Sequence, residues 1–185
     1  MKRLNVLITL LAFVAASTAQ AADFWLEPQI VRGGGQYSSQ IDGGVSGTIS
    51  GQIGYYCFAQ ALSVGYRQAY CGPNWKPASW LEVGVGVGQE NATTPNRRNA
   101  YFSIDREKYT LFGTFENGGS GPWHKVMVTY KFTETVGAGL IDQSFFGLGP
   151  VVTYRVKKDV TLVGAAAYDL DTNTKSSKIS VIFNF

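Results

Sequence analysis

The chain has 185 residues and a formal net charge of +3, and 45% of its residues are hydrophobic. This length suits a single domain, and the near-balance of charge excludes a strongly basic surface, so nucleic acid is not an expected partner. No segment after residue 21 is long and apolar enough for a membrane-spanning helix.

The chain begins with a pattern that is typical of a secretory signal peptide. A short basic start precedes an apolar run over Leu4–Ala16, and Ala19 and Ala21 form an A-x-A cleavage site. The apolar run is shorter than the about 20 residues that a spanning helix needs. We therefore predict a signal peptide over residues 1–21, with a retained membrane anchor as the alternative, and one domain over residues 22–185.

The first half of the mature chain carries a moderate strand pattern. The segments ADFWLEPQIVR, GTISGQIGYY and AYFSI are predicted as strands, whereas RGGGQYSSQIDGG is predicted as a flexible loop because it is glycine-rich and polar. The clearest strand is SWLEVGVGVGQE, in which apolar residues alternate with glycine and charged residues. Its glycines are expected to thin one face of the strand and make room for larger side chains.

The two cysteines, Cys57 and Cys71, suit an oxidising compartment and are predicted to form a disulfide. Bridged Cα atoms lie within about 7 Å of each other, and neither a continuous helix nor a continuous strand could bring these two residues so close. The chain must then reverse between them, near residues 63–66. The alternative is a pair of reduced, buried thiols.

Period-two alternation is strongest after residue 107. The predicted strands there are EKYTLFGTFEN, PWHKVMVTYKF, VGAGLI, FFGLGPVVTYRV, VTLVGAAAYDL and SKISVIFNF. Each carries an apolar row on one face and a more mixed row on the other. The short connections TET and KKD alternate with the longer, polar connections ENGGSG and DTNTKSS. This succession indicates an antiparallel sheet.

Two folds fit such a sheet. A soluble barrel or sandwich would turn the apolar row inward, whereas a membrane barrel would turn it toward lipid. Short periplasmic turns that alternate with longer outer loops are typical of a membrane barrel, and so are aromatic residues near the strand ends with aliphatic residues between them. We therefore predict an all-β fold, an antiparallel transmembrane β-barrel of eight strands, with ten as the alternative.

The alternation assigns a set of charged residues of both signs to the inside of this barrel. The predicted lumen-facing charges are Glu82, Lys108, Glu116, Lys125, Lys131, Arg155, Asp169 and Lys178. Unpaired charges in a narrow lumen carry a large desolvation cost, and the interior of an eight-stranded barrel is just filled by side chains. A closed, hydrated network of ion pairs is therefore favoured over an open pore lined by charge.

A resemblance to a known class of proteins rests on the final strand. Apolar or aromatic residues stand at alternate positions there, at Ile179, Val181, Phe183 and Phe185. This row resembles the C-terminal signal of Gram-negative outer-membrane β-barrel proteins, and the architecture resembles that of the small barrels of the OmpA/OmpX-like kind. The resemblance implies a location in the bacterial outer membrane, in contact with its lipid, and recognition of the last strand by the barrel-assembly machinery during biogenesis.

The sequence offers little catalytic chemistry. His124 is the one histidine, the His-x-Ser motif of lipid A acylases and deacylases is not matched, and no set of residues has metal-ligand or cofactor-binding spacing. We therefore expect no enzymatic activity, catalytic residue, cofactor or metal. The first hypothesis is a structural or surface-interaction role, with outer loops that touch a partner. The alternative is a narrow channel for ions or small solutes, and a lipid A-modifying enzyme comes third.

Overall fold

A computed structural model describes residues 22–185; the predicted signal peptide lies outside the described residues. The described chain forms one closed barrel of antiparallel strands, in which each strand pairs with its sequence neighbours and β1 pairs with β12. The strands are β1 (Asp23–Gly33), β2 (Gln36–Ser50), β3 (Ile53–Leu62), β4 (Arg67–Ala78), β5 (Leu81–Glu90), β6 (Asn96–Asp105), β7 (Tyr109–Gly118), β8 (Gly121–Lys131), β9 (Val136–Gln143), β10 (Gly147–Lys157), β11 (Val160–Asp169) and β12 (Thr174–Asn184).

The closed antiparallel barrel is confirmed, but its twelve strands correct the predicted eight and the alternative of ten. Two segments of the first half account for part of the difference. Most of RGGGQYSSQIDGG, predicted as a loop, belongs to strand β2, and GTISGQIGYY turns at residues 51–52 and contributes to both β2 and β3. The inward row of β2 is polar throughout its first half, so apolar alternation could not reveal it.

The two faces of the barrel differ as they do in a membrane barrel. The outward rows expose large apolar side chains, such as Val85 on β5, Val152 on β10 and Leu162 on β11, and the inward rows bury polar side chains such as Gln68 and Ser180. A soluble barrel would show the reverse arrangement, because its apolar residues would fill the interior. Among the described residues, no helix is long and apolar enough to cross a membrane.

The connections between strands are short at both ends of the barrel. One end, called here the terminal end, holds Asp23 and Asn184; the other end is called the distal end. The longest distal connection comprises only residues 91–95, and the predicted long connections ENGGSG and DTNTKSS shorten to turns at residues 119–120 and 170–173. The flanking residues continue the hairpins, so little polypeptide projects beyond the distal rim.

The predicted disulfide between Cys57 and Cys71 is confirmed. The two residues are direct partners in the ladder between β3 and β4, with Cα atoms 4.1 Å apart. The chain reverses between them at residues 63–66, as expected. Both cysteines share the outward parity of Ile53 and Trp75, so the bridge lies on the lipid side of the wall.

The glycines of β5 open space on the inner face of the wall. A Cβ atom on Gly84 would lie 2.3 Å from the ring of Tyr101, and one on Gly86 would lie 2.5 Å from the hydroxyl of Tyr56. These are closer than atoms can pack, so the two tyrosine rings occupy room that side chains at these positions would fill. This arrangement brings bulky aromatic residues of β3 and β6 together inside the lumen.

Candidate functional site in the barrel lumen

One side of the lumen is filled by apolar side chains. Residues from β9, β10 and β11 and from the connection before β10 form a buried cluster, which comprises Ile141, Phe146, Val151, Val163 and Ala165. These strands are neighbours in the wall, so the cluster occupies one sector of the lumen. The remaining space lies along β1–β8, where the inward residues are polar, charged or aromatic.

A buried arginine organises the distal part of this polar sector. Arg97 on β6 donates hydrogen bonds to Glu90 Oε2 (2.9 Å) and Glu116 Oε2 (2.8 Å), on the two flanking strands. The hydroxyl of Tyr66, in the β3–β4 turn, donates to Glu90 Oε2 (2.6 Å). Burial and this hydrogen bond raise the pKa of Tyr66 to about 12, so the hydroxyl keeps its proton near neutral pH. Ser120 adds bonds from its backbone and side chain to Glu90.

A second polar cluster connects β1, β2 and β3. The Asp42 carboxylate accepts hydrogen bonds from the side-chain amides of Gln29 (2.7 Å), Gln40 (2.8 Å) and Gln60 (3.0 Å). Glu27 is the direct ladder partner of Asp42 and accepts a bond from the Ser180 hydroxyl (2.6 Å). Both carboxylates are buried, and the uncharged donors around them lower the cost of that burial.

Two lysines provide positive charge near these carboxylates. Lys178 on β12 donates to Gln143 Oε1 (3.2 Å), and its ammonium lies 5.5 Å from the centre of the Phe146 ring. Lys125 on β8 interacts electrostatically with Glu27 and Asp42. Within residues 22–185 neither lysine makes a direct ion pair, but Lys125 also lacks a side-chain hydrogen bond such as the one that Lys178 makes, so its ammonium is the less committed of the two.

The predicted lumen charges occupy three kinds of position. Glu82, Glu116, Lys125 and Lys178 point into the lumen. Lys131 pairs with Asp105 (2.6 Å) at the terminal rim, Arg155 is exposed near the same rim, and Asp169 accepts bonds from the backbone of residues 171 and 172 at the distal rim. Lys108 lies instead in the β6–β7 turn and is exposed, because β7 begins only at Tyr109.

Sequence reasoning missed four of the charged residues that do most to organise the lumen. Glu27, Asp42, Glu90 and Arg97 lie in the interior and make the hydrogen bonds described above. A signal existed for Glu90, which continues the inward row of Glu82 and the glycines of β5. The other three belong to strands of the first half in which apolar alternation is weaker.

Two cavities follow one another along the polar sector. The distal cavity has a volume of about 370 Å³ and is lined by residues such as Tyr66, Arg97 and Ser120. The inner cavity has a volume of about 270 Å³ and is lined by residues such as Trp25 and Lys125. Gln60 and Trp123 line both cavities and therefore stand at the boundary between them.

The single histidine has neighbours that the sequence did not predict. His124 faces outward near the distal rim, with Ser144 Oγ 2.9 Å from its Nδ1 and Asp142 Oδ2 3.3 Å from its Nε2. The ladder between β8 and β9 brings these residues together across 20 positions of sequence. Ser144 Oγ also accepts the backbone N–H of His124 (2.9 Å). Among the residues described, no group of three or more His, Cys, Asp or Glu side chains could hold a metal ion.

The residues of the predicted assembly signal all lie at the seam that closes the barrel. Ile179, Val181 and Phe183 share the outward row of β12, and Phe183 pairs with Leu26 on β1. Phe185 is exposed, and its backbone N–H donates to the carbonyl of Phe24 (2.8 Å).

No family model matches the chain, and no curated protein matches it in sequence. Among solved structures it is similar to the KdgM porin, at 9% identity and a TM-score of 0.61, over 87% of this chain and 99% of that one. A KdgM porin in complex with disordered oligogalacturonate gives a TM-score of 0.60 at the same identity and coverage. The NanC porin gives 0.54 at 13% identity, over 85% of this chain and 98% of that one.

These similarities establish the fold and, at such low identity, the fold alone. The chain has the architecture of bacterial outer-membrane porins, in agreement with the predicted outer-membrane barrel and its localisation. The finer OmpA/OmpX-like resemblance is not confirmed. The similarity covers nearly the whole length of the three porin chains.

Proposed function

We propose that the chain is an outer-membrane channel for small polar solutes. The observation that carries this proposal is the pair of cavities, of about 370 and 270 Å³, which follow one another along the polar sector and meet at Gln60 and Trp123. The porin names of the structural neighbours, and the oligogalacturonate complex of KdgM, also favour a channel. The channel therefore replaces the structural role that the sequence analysis put first.

The short distal connections also favour a channel over a surface-interaction role. A protein that acts through its surface loops needs loops large enough to form an interface, and stable interfaces bury about 800 Å² on each partner. Here the distal connections hold between two and five residues each. The lumen, in contrast, contains most of the buried polar side chains of the described chain.

The internal network sets the width of the proposed channel. The apolar cluster fills the sector along β9–β11, and the ion pairs of Arg97 connect the neighbouring strands β5, β6 and β7 of the polar sector. Buried networks of hydrogen bonds and ion pairs of this kind hold side chains in one arrangement. A narrow passage with fixed walls follows, which suits solutes of the size of one or two sugar or amino-acid units.

Single-channel recording in planar bilayers tests the proposal. The purified protein should produce discrete conductance steps, and Trp123→Ala should increase their size because it removes a large ring from the boundary between the two cavities. Trp75→Ala is the matched control, because Trp75 lies on the outward face of β4. A bilayer that stays silent with correctly folded protein, or equal conductance in wild type and Trp123→Ala, contradicts the channel.

A second candidate function is hydrolysis of an acyl ester at the distal rim. The observation that favours it is the contact of His124 with both Ser144 and Asp142, since a histidine between a hydroxyl and a carboxylate can activate the hydroxyl as a nucleophile. It ranks second because Ser144 Oγ is already held by the backbone N–H of His124. A fluorophosphonate probe should label wild type but not Ser144→Ala if this function exists; an unlabelled wild type contradicts it.

A further inference from the structure

Four half-buried aromatic side chains border the inner cavity from two opposite walls. Trp25 and Phe58 stand on β1 and β3, whereas Phe112 and Trp123 stand on β7 and β8. In a closed ring of twelve strands, β1 and β7 are six positions apart and β3 and β8 are five, so the two pairs belong to opposite sides of the lumen. A flat solute in this cavity would have aromatic carbon on both sides.

The Trp25–Phe58 wall is held in place by further contacts. The ring centres of Trp25 and Phe58 lie 6.0 Å apart, and Phe58 stacks on Tyr70 at 5.0 Å. The Tyr70 hydroxyl donates to Glu116 Oε1 (3.0 Å) and so connects this stack to the Arg97 cluster. Aromatic side chains that are already immobilised lose little conformational entropy when a ligand binds.

Polar side chains line the same cavity as the two aromatic pairs. Asp42 and Gln60 line it from β2 and β3, and Asn99 and Thr114 line it from β6 and β7. Carboxylate, amide and hydroxyl groups together can both accept and donate hydrogen bonds. The cavity thus combines apolar faces with a polar periphery, which matches a sugar ring, whose C–H faces are apolar and whose hydroxyls point outward in the ring plane.

The charged side chains that line the cavity favour an uncharged solute over a cation or an anion. Each of the cavity's four carboxylates already has a partner: Glu116 pairs with Arg97 and Glu82 with Lys76 (3.1 Å), whereas Asp42 accepts from glutamine amides and Glu27 accepts from the Ser180 hydroxyl (2.6 Å). A cationic solute would therefore have to displace hydrogen-bond donors from these carboxylates, and it would meet Lys125 in the same cavity. An anionic solute would find only Lys125, which faces the negative charge of Glu27 and Asp42.

We propose that the inner cavity is a binding site for one uncharged sugar ring, held between the Trp25–Phe58 and Phe112–Trp123 pairs. The proposal rests on the proposed channel function and names the solute class that the channel would favour. The proposal requires that aromatic rings inside the lumen contribute to sugar affinity and that aromatic residues on the lipid side do not.

The test compares aromatic residues on the two faces of one strand. Phe112 and Phe115 both belong to β7, but Phe112 lines the cavity and Phe115 is exposed outward. Binding of methyl β-D-glucoside to protein in detergent is followed by intrinsic tryptophan fluorescence and calorimetry. Phe112→Leu, which keeps the apolar volume but removes the aromatic face, should weaken binding about tenfold, the equivalent of one lost aromatic contact. Phe115→Leu should leave binding unchanged.

Galacturonate and choline, as the anionic and cationic probes, should each bind more weakly than the uncharged glucoside. Tighter binding of either ion, no saturable glucoside binding, or equal losses in Phe112→Leu and Phe115→Leu overturns the sugar site. Single-channel recording distinguishes failure of the sugar site from failure of the proposed channel function. Conductance that is never blocked by glucoside leaves the channel in place and removes the sugar site, whereas Phe112-dependent binding in a protein without conductance retains the site and removes the channel.

Discussion

At the scale of single residues, Arg97 shows how the lumen accommodates charge. Its guanidinium lies between Glu90 and Glu116, and all three side chains are almost completely buried. Two carboxylates on one arginine leave a net negative charge, and the hydroxyls of Tyr66 and Tyr70 stabilise the carboxylates by donating hydrogen bonds to them. Loss of any one member should therefore destabilise the cluster, because it leaves a buried partner without its hydrogen bond or ion pair.

Arg97→Ala should accordingly destabilise the barrel strongly. The change leaves two buried carboxylates without their cation, and breaking a buried ion pair in this way costs about 3–5 kcal/mol. Arg98→Ala is the control, because Arg98 follows on the same strand but is exposed on the outer face. Denaturant titrations in detergent micelles measure both free energies of unfolding. Equal stabilities for the two variants would show that the Arg97 cluster does not hold the walls together.

At the scale of the strand, the sequence predicts a strand where the hydrophobicity of its two faces differs clearly. Strands β10 and β11 were predictable because apolar residues alternate regularly in their sequences. Strand β2 was not, because glycine and polar residues occupy both rows near Gly43 and Gly44. The same contrast explains the site: the alternation of β12 predicts that Lys178 points inward, whereas Asp42 belongs to a glycine-rich, polar segment whose sequence predicts a loop. Its three glutamine contacts join residues up to 18 positions apart, and no local pattern encodes them.

The orientation of β11 gives a test of membrane placement at this scale. Leu162 is exposed outward, and its neighbour Thr161 points inward and is only half-buried. Leu162→Arg puts a charge against lipid in the terminal half of β11 and should be destabilising, by less than the about 2–4 kcal/mol that arginine costs at the bilayer midplane. Thr161→Arg puts the same charge on the inward face near the terminal rim, where its ladder partner Arg155 is exposed to solvent, and should cost less. Unfolding free energies in phospholipid vesicles decide between them, and a larger loss for Thr161→Arg would mean that the apolar row does not face lipid.

At the scale of the whole molecule, the barrel is closed by one seam that joins the first and last strands of the described chain. Strands β1 and β12 pair from Trp25–Asn184 to Gly33–Ser176, and the backbone N–H of Phe185 extends the pairing to Phe24. Every other ladder joins strands that are consecutive in sequence. The seam is thus the one pairing that needs most of the chain to be present, and a strand-recognition step there would control assembly of the whole barrel.

We therefore expect Phe185→Ala to impair assembly more than stability. The Phe185 ring is exposed, its contact with Phe183 is at a ring-centre distance of 6.5 Å, and its seam hydrogen bonds come from the backbone and survive truncation to alanine. Burying a whole phenylalanine contributes about 1.5–3 kcal/mol, so an exposed ring contributes less. The purified variant should fold into detergent micelles with nearly wild-type stability, whereas its amount in the outer-membrane fraction of cells should fall several-fold. Phe132→Ala, at an exposed aromatic residue of the β8–β9 turn at the same end of the barrel, is the control. If both variants reach the membrane at equal levels, Phe185 is not an assembly signal; if Phe185→Ala fails to fold in micelles, its loss in cells reflects stability instead.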